Sequence, residues 1–208
     1  MLNFKDCTLL ALEKTFGIEQ ARTMPALENW LSGGASISET ERQMLAFFQT
    51  HLIERGYDWN ETELAYNFIG PLMGLADFVT NTFNFFAERP FGGVVDGIEM
   101  SGRPDGMIAS GVREPEEPYF CFQEYKKHKD PEGDPAGQAL AAMLVAQAIN
   151  TGRHPVYGAY IIGYDWFFMA LQGKRYAISA GYMATRDDVF DIFRILKALK
   201  QIIAAYFA

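Results

Sequence analysis

Glu124-Tyr125-Lys126 closes the apolar run Tyr119-Phe120-Cys121-Phe122-Gln123. Side chains alternate across a strand, so Phe120, Phe122, Glu124 and Lys126 are expected on one face and Cys121, Gln123 and Tyr125 on the other. A frayed strand end, continuing into Lys127, His128 and Lys129, is the simple reading of any single Glu-x-Lys. Asp105 shifts that reading: it stands nineteen residues earlier, near the start of the preceding candidate strand. Antiparallel neighbours set such residues side by side, so Asp105 and Glu124 can converge at one edge of a sheet. Two buried carboxylates repel unless a cation sits between them. An all-oxygen donor set favours Mg²⁺ or Mn²⁺ over zinc. A lysine beside that cation can stay protonated and stabilise phosphate charge, or lose its proton and take one from water. Together these are the parts for metal-assisted attack of water on a phosphodiester.

The elements that must hold these residues are legible in outline. Asn60-Glu61-Thr62-Glu63 is a capping box opening a helix whose Leu64, Ala65, Phe68, Ile69, Leu72, Leu75 and Ala76 form the buried stripe at 100° per residue. Glu63 lies opposite that stripe. Glu61 lies near its centre, directed to the interior or a cleft, although an acid in the first turn also complements the helix dipole. Strand signals follow at Phe83 to Phe86, Val94 to Met100 and Arg103 to Ala109, the last two joined by a Ser101-Gly102 turn, and then Tyr119 to Lys126, giving an antiparallel meander. Asp134-Pro135 starts an Ala-rich helix over 136–150. Strands at Val156 to Gly163, Trp166 to Leu171 and Tyr176 to Ser179 precede a closing helix capped by Thr185. Residues 1–58 read as a helical extension with a second capping box at Ser38, and 59–208 as one mixed α/β domain.

Pro104-Asp105 followed by Glu124-Tyr125-Lys126 resembles the bipartite motif of the PD-(D/E)XK nuclease superfamily. NETELAYNFIGPLMGLADF, GRPDGMIAS, FQEYKK and YIIGYDWFFMAL resemble, in order, the helix, motif strands and hairpin of the nuclease region of type I restriction-enzyme motor subunits. The likeness spans roughly residues 59–180. It implies a restriction-endonuclease-like αβββαβ core with a mixed sheet, plus the N-terminal extension and the C-terminal helix. It further implies metal ligation by Asp105, Glu124 and the carbonyl of Tyr125, water activation or positioning by Lys126, and Glu61 as accessory acid. Gln138 resembles the helix glutamine of exonuclease-like members and shares a stripe with Ala142, Val145 and Ile149. Ala142 departs from their tyrosine. The implied activity is Mg²⁺- or Mn²⁺-dependent hydrolysis of DNA, or, as the alternative, a catalytically silent module that binds nucleic acid or a partner subunit.

The formal net charge of -8 is uneven: residues 59–102 sum to -5, 130–149 to -3 and 150–208 to +3. Part of the acidity is thus the carboxylate set that a metal site requires, and it predicts weak, salt-dependent DNA binding unless a homodimer or a partner subunit adds basic surface. The apolar second face of the last helix, Phe190, Ile195 and Ile202, is a candidate for such self-association. Cys7 and Cys121 are too few for a disulfide framework, and with no signal peptide or membrane span expected the chain reads as cytoplasmic. His51, His128 and His154 lack ligand spacing. Asp130, Glu132 and Asp134 read as an acidic turn feeding an N-cap, and Asp96 and Glu99 as outward strand positions with a lesser claim on the metal cluster. Nucleophile elbows and phosphate-binding glycine loops are absent, and Trp166, Phe167 and Phe168 read as core.

Overall fold

In the computed structural model, which describes residues 1–129 and 131–207, the chain is α/β and built on a mixed sheet. β1 (Leu2–Asn3) leads through a 3₁₀ turn (Phe4–Asp6) into α1 (Leu9–Phe16), β2 (Glu19–Gln20), α2 (Pro25–Leu31) and α3 (Glu39–Arg55). α4 (Glu61–Leu64), a π-helical turn (Ala65–Ile69) and α5 (Gly70–Ala76) follow one another directly. Then come β3 (Phe83–Ala87), β4 (Phe91–Val95), β5 (Ile98–Gly102), β6 (Gly106–Ser110), β7 (Glu116–Lys126), α6 (Pro135–Ile149), β8 (Val156–Ile162), β9 (Asp165–Gln172), β10 (Arg175–Ile178), β11 (Tyr182–Met183) and α7 (Asp188–Ala205).

The main sheet has the order β2-β10-β9-β8-β7-β6-β3, with β7 parallel to β8 and antiparallel to β6. Parallel neighbours need a crossover, and α6 supplies it. Its residues Pro135 to Ala146 are all buried, which a helix of mostly small side chains allows because it can lie close against a sheet. The other face packs on α2, α3, α4, α5 and α7. Burial alternates along the strands accordingly: Val156, Met169 and Leu171 join the α6 core, whereas Tyr157, Phe168 and Ala170 join the opposite one.

Several expectations need correction, among them the Ser101-Gly102 turn, which is the end of β5, and the strand expected from Arg103, which begins at Gly106. Val94 to Met100 is not one strand: Asp96 and Gly97 take positive φ of 47° and 82° and turn β4 back on β5, as an Asp-Gly pair in a tight hairpin does. That hairpin joins β1 in a separate sheet of order β1-β5-β4, so the meander in the main sheet is β3-β6-β7. Secondly, Leu75 is only half-buried while Met73 is buried. The π turn inserts extra arc before Pro71, which has no N–H to donate, and so advances the buried stripe. Thirdly, α7 begins at Asp188 with no side-chain bond from its N-cap, and Thr185 lies in the preceding turn. Lastly, Ile195 is fully buried and its carbonyl accepts the Trp30 indole N–H at 2.8 Å. Of the α7 face that looked open to self-association, Ile195 is thus taken up within the chain, while Phe190 and Ile202 are half-buried.

Both capping boxes form, at Ser38 with Glu41 and at Asn60 with Glu63. Asp134 caps α6 through Gly137 N–H at 2.9 Å, while Asp130 lies outside the described residues. No helix among the described residues is long and apolar enough to cross a membrane.

Trp30 ties the N-terminal helices to the sheet. It is fully buried and stands edge-on to Tyr157 and Phe168, with ring centroids 5.0 and 5.1 Å away. Trp30→Ala is expected to cost about 3–5 kcal/mol and to leave a single urea transition at a lower midpoint. A separate early transition for the N-terminal helices would show that they fold on their own.

Candidate active site

The ladder between β6 and β7 positions the acids. Gly106 is paired with Gln123, so Asp105 stands one place further along, across from Glu124. There β6 ends, and the Asp105 carboxylate takes over its hydrogen bonding by accepting the Tyr125 N–H at 2.6 Å. On the same strand face, Lys126 Nζ donates to Glu124 Oε1 at 2.9 Å, both side chains being 12% exposed. β7 remains paired with β8 as far as Lys126 and Ile162. Glu124 is therefore buried and Lys126 half-buried at a paired strand end, and a frayed, solvated end does not describe the pair.

The expected alternation holds for Phe122, Glu124 and Lys126 but fails for Phe120. Register shifts between β6 and β7 set Ala109 opposite Tyr119 and Ile108 opposite Cys121. The unpaired Phe120 is a bulge residue, and it packs with the α7 core instead of the α6 core. From the reverse face, the Tyr125 hydroxyl donates to Gln123 Oε1, and the Gln123 amide meets Met73 Sδ at 3.4 Å. These contacts fix the strand end from behind.

Glu61, at the start of α4, is exposed rather than interior, and it lines a cleft of about 380 Å³ together with Asp105, Tyr125 and Glu88. Burial pushes Asp105 up to about 6, helped by Glu61 and Glu88 and opposed by the Tyr125 N–H and by Lys126. Burial likewise raises Glu124 to about 7, with Asp105 and Glu61 adding to the rise and Lys126 opposing it. For Lys126 burial acts downward, but the bond to Glu124 and the fields of Glu124, Glu61 and Asp105 carry it above its ordinary value. The two partners of this ion pair pull in different senses, toward a neutral Glu124 and a charged Lys126. Both follow from one cause: one ammonium faces three carboxylates and cannot neutralise them all. The surplus negative charge is what a divalent cation would offset.

Gln138 is buried on α6, where its Nε2 donates to the Lys5 carbonyl at 3.4 Å, and it lines a second cleft of about 670 Å³ that also reaches Glu124. The fold thus brings Asp105, Glu124, Tyr125, Lys126 and Glu61 together, with Gln138 beside Glu124. Asp96 is paired with Lys174 at 2.8 Å, away from this cluster.

Sequence reading missed two contributors. Glu88 reaches the cleft because β3 and β6 pair Ala87 with Gly106, and its N–H donates to the Asp105 carbonyl at 3.1 Å; only that pairing reveals it. Lys5 arrives through the pairing of β1 with β5, a contact between residues nearly a hundred apart.

Among the described residues no three His, Cys, Asp or Glu side chains by themselves make a metal-holding group. The chain offers two strand-end carboxylates and the Tyr125 carbonyl, which leaves its strand on the same edge as the N–H bound to Asp105. Such a sparse oxygen set suits Mg²⁺, which keeps several of its waters. No protein-family model matches the chain, and no curated protein matches it.

Because the folded state holds the Asp105 proton more tightly than an ordinary carboxylate does, ionising Asp105 costs stability. That cost grows as pH rises from the ordinary carboxylate range through about 6. Asp105→Asn is expected to melt higher than the wild type at pH ~8 without metal, by roughly 2–4 °C for each kcal/mol of burial and repulsion cost removed. The gain should vanish near pH ~4. Thermal melts at the two pH values check this.

Proposed function

We propose that the chain is a divalent-metal-dependent nuclease of the PD-(D/E)XK type that hydrolyses DNA. The observation that carries the reading is the union, at the ends of two paired strands, of Asp105, Glu124 and Lys126, with one ammonium set against several carboxylates. The order helix (α4 and α5), three antiparallel strands (β3-β6-β7), crossover helix (α6) and parallel strand (β8) supports a restriction-endonuclease-like core into which the β4–β5 hairpin is inserted.

On this reading Asp105, Glu124 and the Tyr125 carbonyl hold Mg²⁺ or Mn²⁺. The metal, when bound, supplies Lewis acidity toward the scissile phosphate and lowers the pKa of a coordinated water. Lys126 donates to Glu124 Oε1 at 2.9 Å, and without metal the carboxylates around it hold its proton. Of the two roles open to a lysine here, this ion pair favours charge stabilisation, with the ammonium set against the negative charge that grows on the phosphate oxygens. Glu61, exposed at the cleft mouth, can orient water or accept its proton. Partial burial of the acids strengthens these fields, because little solvent screens them.

A second reading, a module that binds without cleaving, draws on the small number of protein ligands. Calorimetry with Mg²⁺ and Mn²⁺ separates the two, because no divalent binding at millimolar concentration would favour the module.

The nuclease reading predicts cleavage of plasmid or single-stranded DNA with Mg²⁺ or Mn²⁺ and none with chelator. Asp105→Asn and Lys126→Ala should each slow cleavage by roughly 10²–10³-fold, the usual loss of one electrostatic contact to a transition state. Lys126→Ala should still bind Mg²⁺ at least as tightly as the wild type, since it removes a positive charge and no ligand. Cleavage unchanged in Lys126→Ala would sink the assignment.

A further inference from the structure

The larger cleft, of about 670 Å³, lies on the α6 side of the sheet and reaches Glu124 and Gln138 at one end. Its walls are the N-terminal segment, with Asn3 and Lys5, and the strand ends around Ser101 and Arg103. The N-terminal wall is built in, not draped. β1 runs parallel to β5, with Asn3 beside Ser101. Leu9 N–H donates to Asp134 Oδ2 at 2.8 Å. At Gly137 an added Cβ would stand 2.6 Å from the Cys7 carbonyl and from Thr8 Cα, so α6 and the N-terminal segment touch backbone to backbone. Gln138 holds the Lys5 carbonyl, which places that residue's side chain at the cleft while its main chain is fixed.

Two cations border this space. Lys5 and Arg103 are exposed, and among the described residues neither belongs to an ion pair. They stand at a cleft that ends on Glu124, in a protein whose formal net charge is -8. A polyanion gains little from the surface as a whole, and this cleft offers it two unpaired cations within one space that reaches Glu124. Its size decides between forms of nucleic acid. A volume near 670 Å³ falls in the range of clefts that enclose one small ligand, about 300–1,000 Å³, enough for a nucleotide or two. Docking a duplex takes an open basic face that buries about 1,000–2,500 Å² of protein, and two cations do not make one.

We propose that a single-stranded segment of DNA, not a duplex, enters this cleft with its phosphates on Lys5 and Arg103 and is led by them to Glu124. The assignment names the substrate class of the nuclease reading and rests on it for the chemistry, but the binding can be read without any cleavage.

The test is fluorescence anisotropy of a labelled oligothymidylate and of a hairpin duplex of equal length, in chelator, across a salt series. The single strand should bind at least tenfold more tightly than the duplex. With two phosphates neutralised, log K should fall with log salt at a slope of about -1.4, and Lys5→Ala and Arg103→Ala should each flatten it by about 0.7. Lys5→Arg should restore the wild-type slope. Both side chains are exposed, and thermal melts will show that the variants fold. Equal affinity for the duplex, or alanine variants with wild-type affinity and slope, would overturn the proposal. DNA cleavage that depends on Lys126 but is indifferent to Lys5 and Arg103 would overturn the cleft alone. Binding that maps to Lys5 and Arg103 without metal-dependent cleavage would support the cleft while removing the nuclease.

Discussion

The burial of two neighbouring carboxylates, Asp105 and Glu124, is the constraint around which the centre of the molecule is arranged. Left alone, two carboxylates at the ends of adjacent strands would turn apart into solvent. Two hydrogen bonds prevent it: the Tyr125 N–H holds Asp105, and the Lys126 ammonium holds Glu124. Neither bond removes the surplus charge, and both acids remain above the ordinary carboxylate range. The site is thus organised at a cost to the folded state, and the rigid sheet beneath it bears that cost.

The bearing elements are those with the least freedom to move. β7 is the pivot: β6 ends on one side of it just where Asp105 takes over, and β8 continues on the other side to the last residue of the motif. The crossover through α6 makes this possible. Its small residues let the helix lie against β7 and β8, and Gly158 removes the side chain that would otherwise meet Met143 Sδ, where a Cβ would stand 2.5 Å away. On the opposite face, Tyr125, Gln123 and Met73 link the strand to α5. Displacing Asp105 relative to Glu124 would require the register of β6 and β7 to slip, which would turn buried side chains to the wrong face.

Local patterns announced much of this. Both capping boxes and the Asp134 cap depend on neighbours in sequence and form where the residues say; the second motif strand also forms there, while the first begins at Gly106, leaving Asp105 just before it, across from Glu124. What stayed hidden depends on departures from ideal periods. The bulge at Phe120 and the π turn before Pro71 each insert one residue, and a wheel or an alternation of fixed period carries that error forward. The Asp96-Gly97 turn was visible, but a run of apolar residues on either side masked it. Lys5 and Glu88 were out of reach for another reason. Only tertiary pairing, β1 with β5 and β3 with β6, puts them near the acids, and no local pattern encodes those pairings.

The distribution of charge follows from the same geometry. An acidic protein approaching a polyanion is repelled at long range, with the repulsion screened beyond about 8–10 Å at physiological salt. Association then depends on short-range contacts, which a two-cation cleft provides only to a chain that can enter it. Acidity, seen as a property of the whole sequence, argues against a nucleic-acid substrate. Resolved onto the structure it acts as a filter, because in a protein of net negative charge this cleft sets two cations, unpaired among the described residues, at a space that reaches the candidate metal ligand Glu124. On the proposed reading, selectivity for a flexible, narrow strand would then come from shape, while a bound metal would supply the local positive charge that the protein itself withholds.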